Sequence, residues 1–201
     1  MPLGSTPSPD LDALLRDVRA CTVCAPHLPL GARPVVRGRA AARLLIISQA
    51  PGTKVHETGL SFNDRSGDRL RDWLGIGRDV FYDEDRVAIL PMGFCYPGRF
   101  PQGGDRPPRP ECAPLWHQKL LAQWPHIALT LLVGSYAIDY YLAGRRKPTM
   151  TATVAAWRDY LPRYLPMPHP SWRTTAWERK NPWFAAELLP EARKRVAALV
   201  S

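Results

Sequence analysis

Four short apolar runs constrain the fold of this chain more than any other feature. They are RLLIIS (Arg43 to Ser48), RVAILP (Arg86 to Pro91), ALTLLVG (Ala128 to Gly134) and RYLPMP (Arg163 to Pro168), and each ends in turn residues. Helical patterns lie between them: SGDRLRDWLG, ECAPLWHQKLLAQW, SYAIDYYLA, TATVAAWRDYL and a C-terminal WFAAELLPEARKRVAALV interrupted by Pro190. Strands alternating with helices predict a three-layer α/β/α fold with a central, mostly parallel four-stranded sheet. With 201 residues the chain has room for one well-filled core, so a single domain is expected over its whole length, with residues 1–9 as a flexible leader.

Composition narrows the function classes. Hydrophobic residues make up 45% and charged residues 22%, ordinary values for a soluble protein, and no run is apolar enough to span a bilayer. The N-terminus MPLGSTPSPD lacks a positive start, an apolar middle and a small-residue cleavage site, so a cytoplasmic protein is expected. The formal charge of +9, mostly arginine, suggests a polyanionic partner, although base composition of the genome can also enrich arginine.

The four cysteines are Cys21 and Cys24 in CTVC, Cys95 in GFCYPG and Cys112 in PECAP. In a reducing compartment a close pair plus two later cysteines points to a metal site; the alternative is four buried thiols packed as small hydrophobes. The run DLDALLRDVRAC predicts a helix with Asp10 as N-cap that delivers Cys21. The irregular loop YPGRFPQGGDRPPRP would be pinned by the metal at its ends. Four thiolates suit zinc or an iron-sulfur cluster.

Open parallel sheets bind ligands beyond the carboxyl ends of their strands. SQAPG follows the first strand there and HPS follows the last. Gly52 and Pro51 allow peptide N–H groups near Gln49 and Ala50 to be aimed at one point. Phe62, between Ser61 and Asn63, is either a stacking platform or a satellite core residue. His169, flanked by prolines, is either a donor to developing negative charge or a buried, satisfied histidine.

Taken in order, CTVC with LPLGARPVVRG, SQAPG, GLSF, the Cys95 and Cys112 pair separated by sixteen residues, and HPS resemble the signatures of the uracil-DNA glycosylase superfamily, especially its iron-sulfur branch. The resemblance runs from about Cys21 to the end of HPS. It implies a DNA repair enzyme, expected to be a monomer, that flips uracil or a related deaminated base out of DNA and hydrolyses its N-glycosidic bond. By resemblance Phe62 stacks the base, the Gln49–Ala50 peptide orients water, and His169 donates to the base oxygen. Ser171 grips a flanking phosphate, and Trp172, Arg173 or Trp177 fills the gap in the stack. Cys21, Cys24, Cys95 and Cys112 would hold a structural [4Fe-4S] cluster, with zinc as the lesser alternative.

Three departures modify the expectation. Ala50 stands where another branch has a catalytic aspartate. His56 stands where iron-sulfur members usually carry an acid, so it could orient the water. Pro91 occupies the place of an asparagine that reads the edge of uracil, which leaves base reading to backbone groups, to Asn63 or to Asp64, and makes a broader range of deaminated bases plausible. The loop between the later cysteines has no histidine, so no covalent adduct with uracil is expected there. The nearest rival is a non-catalytic binder of damaged or single-stranded DNA. A nucleotide-binding or acyl-transfer enzyme with structural zinc is disfavoured by the lack of GxGxxG, P-loop and GxSxG patterns.

Overall fold

The computed structural model describes residues 9–201, so the expected leader lies outside the described residues apart from Pro9. Helix α1 (Pro9–Arg19) opens at Pro9, which puts Asp10 inside the first turn instead of at the cap. A short 3-10 turn, Ala25–His27, follows the CTVC segment.

All four predicted strands form. They are β1 (Leu44–Ser48), β2 (Val87–Pro91), β3 (Leu129–Val133) and β4 (Tyr164–Met167), pairing in the order β2-β1-β3-β4 with every pair parallel. Every residue of β1, β2 and β3 is buried, the pattern of strands covered on both faces, and this is why their sequences are continuous apolar runs. Ile46 sits at the centre of the register, opposite Ile89 on one side and Leu131 on the other.

The helices are α2 (Thr53–Thr58), α3 (Arg65–Leu74), α4 (Arg78–Phe81), α5 (Gln118–Ala122), α6 (Ser135–Tyr141), α7 (Met150–Ala155), α8 (Thr174–Lys180) and α9 (Leu189–Val200). The layers form a three-layer α/β/α fold. Helices α9 and α6 both lie against β1, α7 against β4, and α3 against α9. Helix α3 has clear local causes: Asp64 accepts a hydrogen bond from the Gly67 N–H at its start, and Gly75 closes it at φ 68°.

Two predicted helices open with a wider π turn, at Ala113–His117 and Phe184–Leu188. In the second, the wide turn precedes Pro190, which then occupies the first turn of α9, where a missing N–H breaks no bond; the helix is re-spaced instead of interrupted. The TATVAAWRDYL pattern divides into α7 and a 3-10 turn, Trp157–Tyr160. Helices α2, α4 and α8 lie in stretches that carry no long apolar period, and the sequence does not announce them.

Among the described residues no helix is long and apolar enough to cross a membrane.

Candidate active site

Chain order places the site. From β1 the chain continues to β2 on one side and from β3 to β4 on the other, so the connections leaving the carboxyl ends of β1 and β3 run in opposite directions, the arrangement that leaves a crevice. A pocket of about 90 Å³ lies there, lined by the Ser48–Gly52 turn, Val55, Ser61, Phe62, Asp64, Ser66, Pro91, Asp105 and His169. The turns after the first and last strands therefore face one hollow.

Backbone bonds hold the turn after β1. Ser48 and Gln49 carbonyls accept the Met92 and Gly93 N–H groups at 2.8 and 3.0 Å, which ties this turn to the end of β2. Pro91, the residue opposite Ser48 in the sheet, contributes to the lining. Its carbonyl lies 3.0 Å from Nε2 of His117, whose Nδ1 lies 2.6 Å from the Tyr141 hydroxyl. The consistent assignment has Nε2–H donating to Pro91 and the Tyr141 hydroxyl donating to Nδ1. His117 is 1% exposed and stacks on Phe94, and burial pushes its pKa down to about 4, so it is a neutral strut under the pocket.

Phe62 is buried and is the one non-glycine residue with positive φ, 56°, among the described residues. That conformation is costly for an aromatic residue and persists only where the surroundings dictate it. Here the Phe62 carbonyl accepts from the Tyr82 hydroxyl at 3.1 Å and from Arg71 at 3.3 Å, and Gly67 leaves room for it. The Phe62 ring meets Phe81 edge-on at 5.9 Å. It is thus both a wall of the pocket and part of the core.

His169 is set by a tight turn. Its carbonyl accepts the Ser171 N–H at 2.8 Å and the Thr174 hydroxyl at 2.5 Å, and its side chain lies over Gly134, where a Cβ would stand 3.4 Å from that of His169. Burial lowers the pKa of His169, partly opposed by Asp64 and Asp105. The imidazole is accordingly neutral at neutral pH, with one N–H to donate. Arg69 of α3 anchors the following segment, donating to the Ser171 carbonyl and the Thr175 hydroxyl and pairing with Glu178.

The other expected residues separate. Gln49, Ala50, Phe62 and His169 line the pocket, while Asn63 and His56 do not. Asn63 accepts from Arg78 at 3.4 Å. His56, in α2, is tilted against Tyr96 with a buried Nδ1 that has no partner. Trp172 is 78% exposed beside the site, with the Arg173 guanidinium 5.5 Å from its ring centroid. Trp177 is instead packed against Trp183 and Phe184, with its indole N–H on Thr151, so it is no free wedge. Asp105, Ser61 and Ser66 are pocket residues that sequence reasoning did not single out. Asp105 arrives from the long loop between the cysteines, and no local pattern signals where such a loop folds.

The cysteines come from three separate stretches of chain. Cys24, Cys95 and Cys112 are buried, and Cys21 is half-buried. Among the described residues no group of three or more His, Cys, Asp or Glu side chains is arranged to hold a metal ion. Burial pushes the Cys112 thiol up to about 12 and Cys95 to about 11, and in each case the other cysteines nearby push further in the same direction. Backbone N–H groups of Phe94 and Arg33 act the other way, on Cys112 and Cys95 respectively. Cys21, Cys24 and Cys95 all act on Cys112, and backbone N–H groups reach two of the sulfurs, so these thiols are the candidates for a thiolate-bound group, whose binding would replace the protons that burial retains.

The fold is a three-layer α/β/α sandwich with a crevice beyond β1. Residues 35–193 match the family model described as Uracil DNA glycosylase superfamily, most of the chain, and the protein belongs to that superfamily.

Proposed function

We infer that the protein removes uracil, or a related deaminated base, from DNA by hydrolysing the N-glycosidic bond. One observation carries this reading: Phe62, His169 and the Gln49–Ala50 turn, far apart in sequence, line the same pocket at the end of the sheet. A nucleotide swung out of the duplex would place its base on Phe62. Unstacking is easiest at a damaged or mismatched base, so selection starts before chemistry.

As the bond between sugar and base breaks, its electron pair goes to the base nitrogen and positive charge develops on the sugar. The His169 N–H donates to the base oxygen, where the negative charge collects. Water held by the Gln49–Ala50 backbone adds to the sugar carbon and loses a proton, giving an abasic sugar and the free base. His56 does not line the pocket and receives no step. Ser171 and Arg173 would hold phosphate and Trp172 would occupy the vacated stack, roles favoured by the exposure of Trp172 and by the net charge of +9.

Cys21, Cys24, Cys95 and Cys112 would hold a [4Fe-4S] cluster that ties the N-terminal segment to the long loop and takes no part in bond breaking. Oligonucleotides carrying uracil, hypoxanthine, xanthine or mismatched thymine test the whole reading. Alkali-sensitive abasic product is expected with at least uracil. Retardation of the same DNA without any abasic product would mark a non-catalytic binder.

A further inference from the structure

The pocket contains a hydroxyl that nothing else in the fold uses. Ser61 is 4% exposed, and among the described residues lining the pocket its side-chain oxygen is the one that is both shut off from solvent and without a hydrogen-bond partner. Buried hydroxyls are normally satisfied, because leaving one unpaired costs stability, so an exception in a binding pocket asks for a ligand.

Several of the surrounding backbone groups are already engaged. The Pro91 carbonyl is taken by His117, and those of Ser48 and Gln49 by the chain after β2. The Ser61 and Phe62 carbonyls accept from Tyr82, and Asp64 Oδ1 caps α3. Pro91 itself has neither an N–H nor a polar side chain. Among the polar side chains of the lining, the Ser61 hydroxyl is the one both buried and unpaired, and one χ1 rotation moves it among staggered positions.

We propose that Ser61 is a specificity-determining residue that reads the keto edge of the extruded base. This rests on the glycosylase reading above. A hydroxyl both donates and accepts, so it can pair with a ring carbonyl or a ring nitrogen of either a pyrimidine or a purine. A carboxamide presents a fixed donor and acceptor side by side; a single hydroxyl does not. The substrate class is therefore keto-bearing deaminated bases in general, with uracil and hypoxanthine both accepted.

The test compares wild type, Ser61→Ala and the near-isosteric Ser61→Cys in single-turnover assays on uracil and hypoxanthine DNA. It adds melting temperature and affinity for DNA with a ready-made abasic site, which has no base to read. Expected are losses of about tenfold on both bases in both variants, with melting temperature and abasic-site affinity unchanged. Wild type acting on both bases with variants equally fast would overturn the role of Ser61 and leave the glycosylase reading standing. A parallel fall in abasic-site affinity or melting temperature would make Ser61 structural and likewise overturn it. No abasic product from wild type on any base would instead remove the glycosylase reading itself, and the role of Ser61 with it.

Discussion

The carbonyl oxygen of Phe62 lies where a side chain on Gly67 would have to stand, since a Cβ built there overlaps it. The first turn of α3 and the wall of the pocket are therefore one packing unit. Gly67→Ala must either push α3 away from Phe62 or return Phe62 to negative φ. The expected result is a loss of about 3 kcal/mol or more in urea unfolding, the upper range for overpacking. A variant as stable as wild type would show that the two elements move independently.

His169 contributes to bond breaking far more than to binding. Removing one donor aimed at developing charge costs about 3 to 4 kcal/mol of barrier. His169→Ala should thus slow single-turnover base release by roughly a hundredfold or more while DNA affinity stays near wild type. Equal losses in rate and affinity, measured side by side, would assign His169 to binding alone.

His117 makes stability depend on pH. Its pKa is about 4 in the folded chain against 6.5 for the free side chain, so between these values the unfolded state binds more protons. Stability is then full above pH 6.5 and falls as pH drops toward 4, by about 3 kcal/mol in total. The lowered pKa of His169 acts in the same direction. His117→Phe should flatten much of this slope in urea titrations at several pH values. It should also cost about 2 kcal/mol at pH 7, because the Tyr141 hydroxyl and the Pro91 carbonyl lose their partner.

Trp172 is exposed enough that the fold does not need it. Trp172→Ala is expected to leave the unfolding free energy within about 0.5 kcal/mol of wild type. If the ring fills the stack, the variant loses activity on duplex DNA and keeps it on single strands, where no gap forms. Equal activity on both substrates would move the wedge elsewhere.

The thiol cluster has a spectroscopic test. Protein purified without oxygen should be brown and carry about four iron atoms per chain. Cys112→Ser should lose most of the colour and iron and melt at a lower temperature. A colourless wild type containing one zinc would replace the cluster with a single ion.

Much of this molecule is written locally. β1, β2 and β3 are covered on both faces, so each had to be a continuous apolar run bounded by turns, and all four strands fall where such runs occur. Helix α3 is equally legible, since Asp64 and Gly75 punctuate it in the sequence itself. The residues around the hollow were partly visible as oddities, a phenylalanine in a polar loop and a histidine between prolines.

Sequence alone therefore determined the alternation of strands and helices and the position of the SQAPG and HPS turns beyond the carboxyl ends of their strands, while the grouping of Phe62 and His169 with them came by resemblance. Tertiary structure decided which neighbours joined them. It brought Asp105 back from a distant loop, turned His56 toward Tyr96, packed Trp177 against the core while exposing Trp172, and left Ser61 without a partner. Strands buried on both faces need continuous apolar runs and helix caps need particular residues, so both can be read along the chain although the strands pair over long separations. A loop's direction and a hydroxyl's partner depend on groups distant in sequence, and those meet only after the layers have packed.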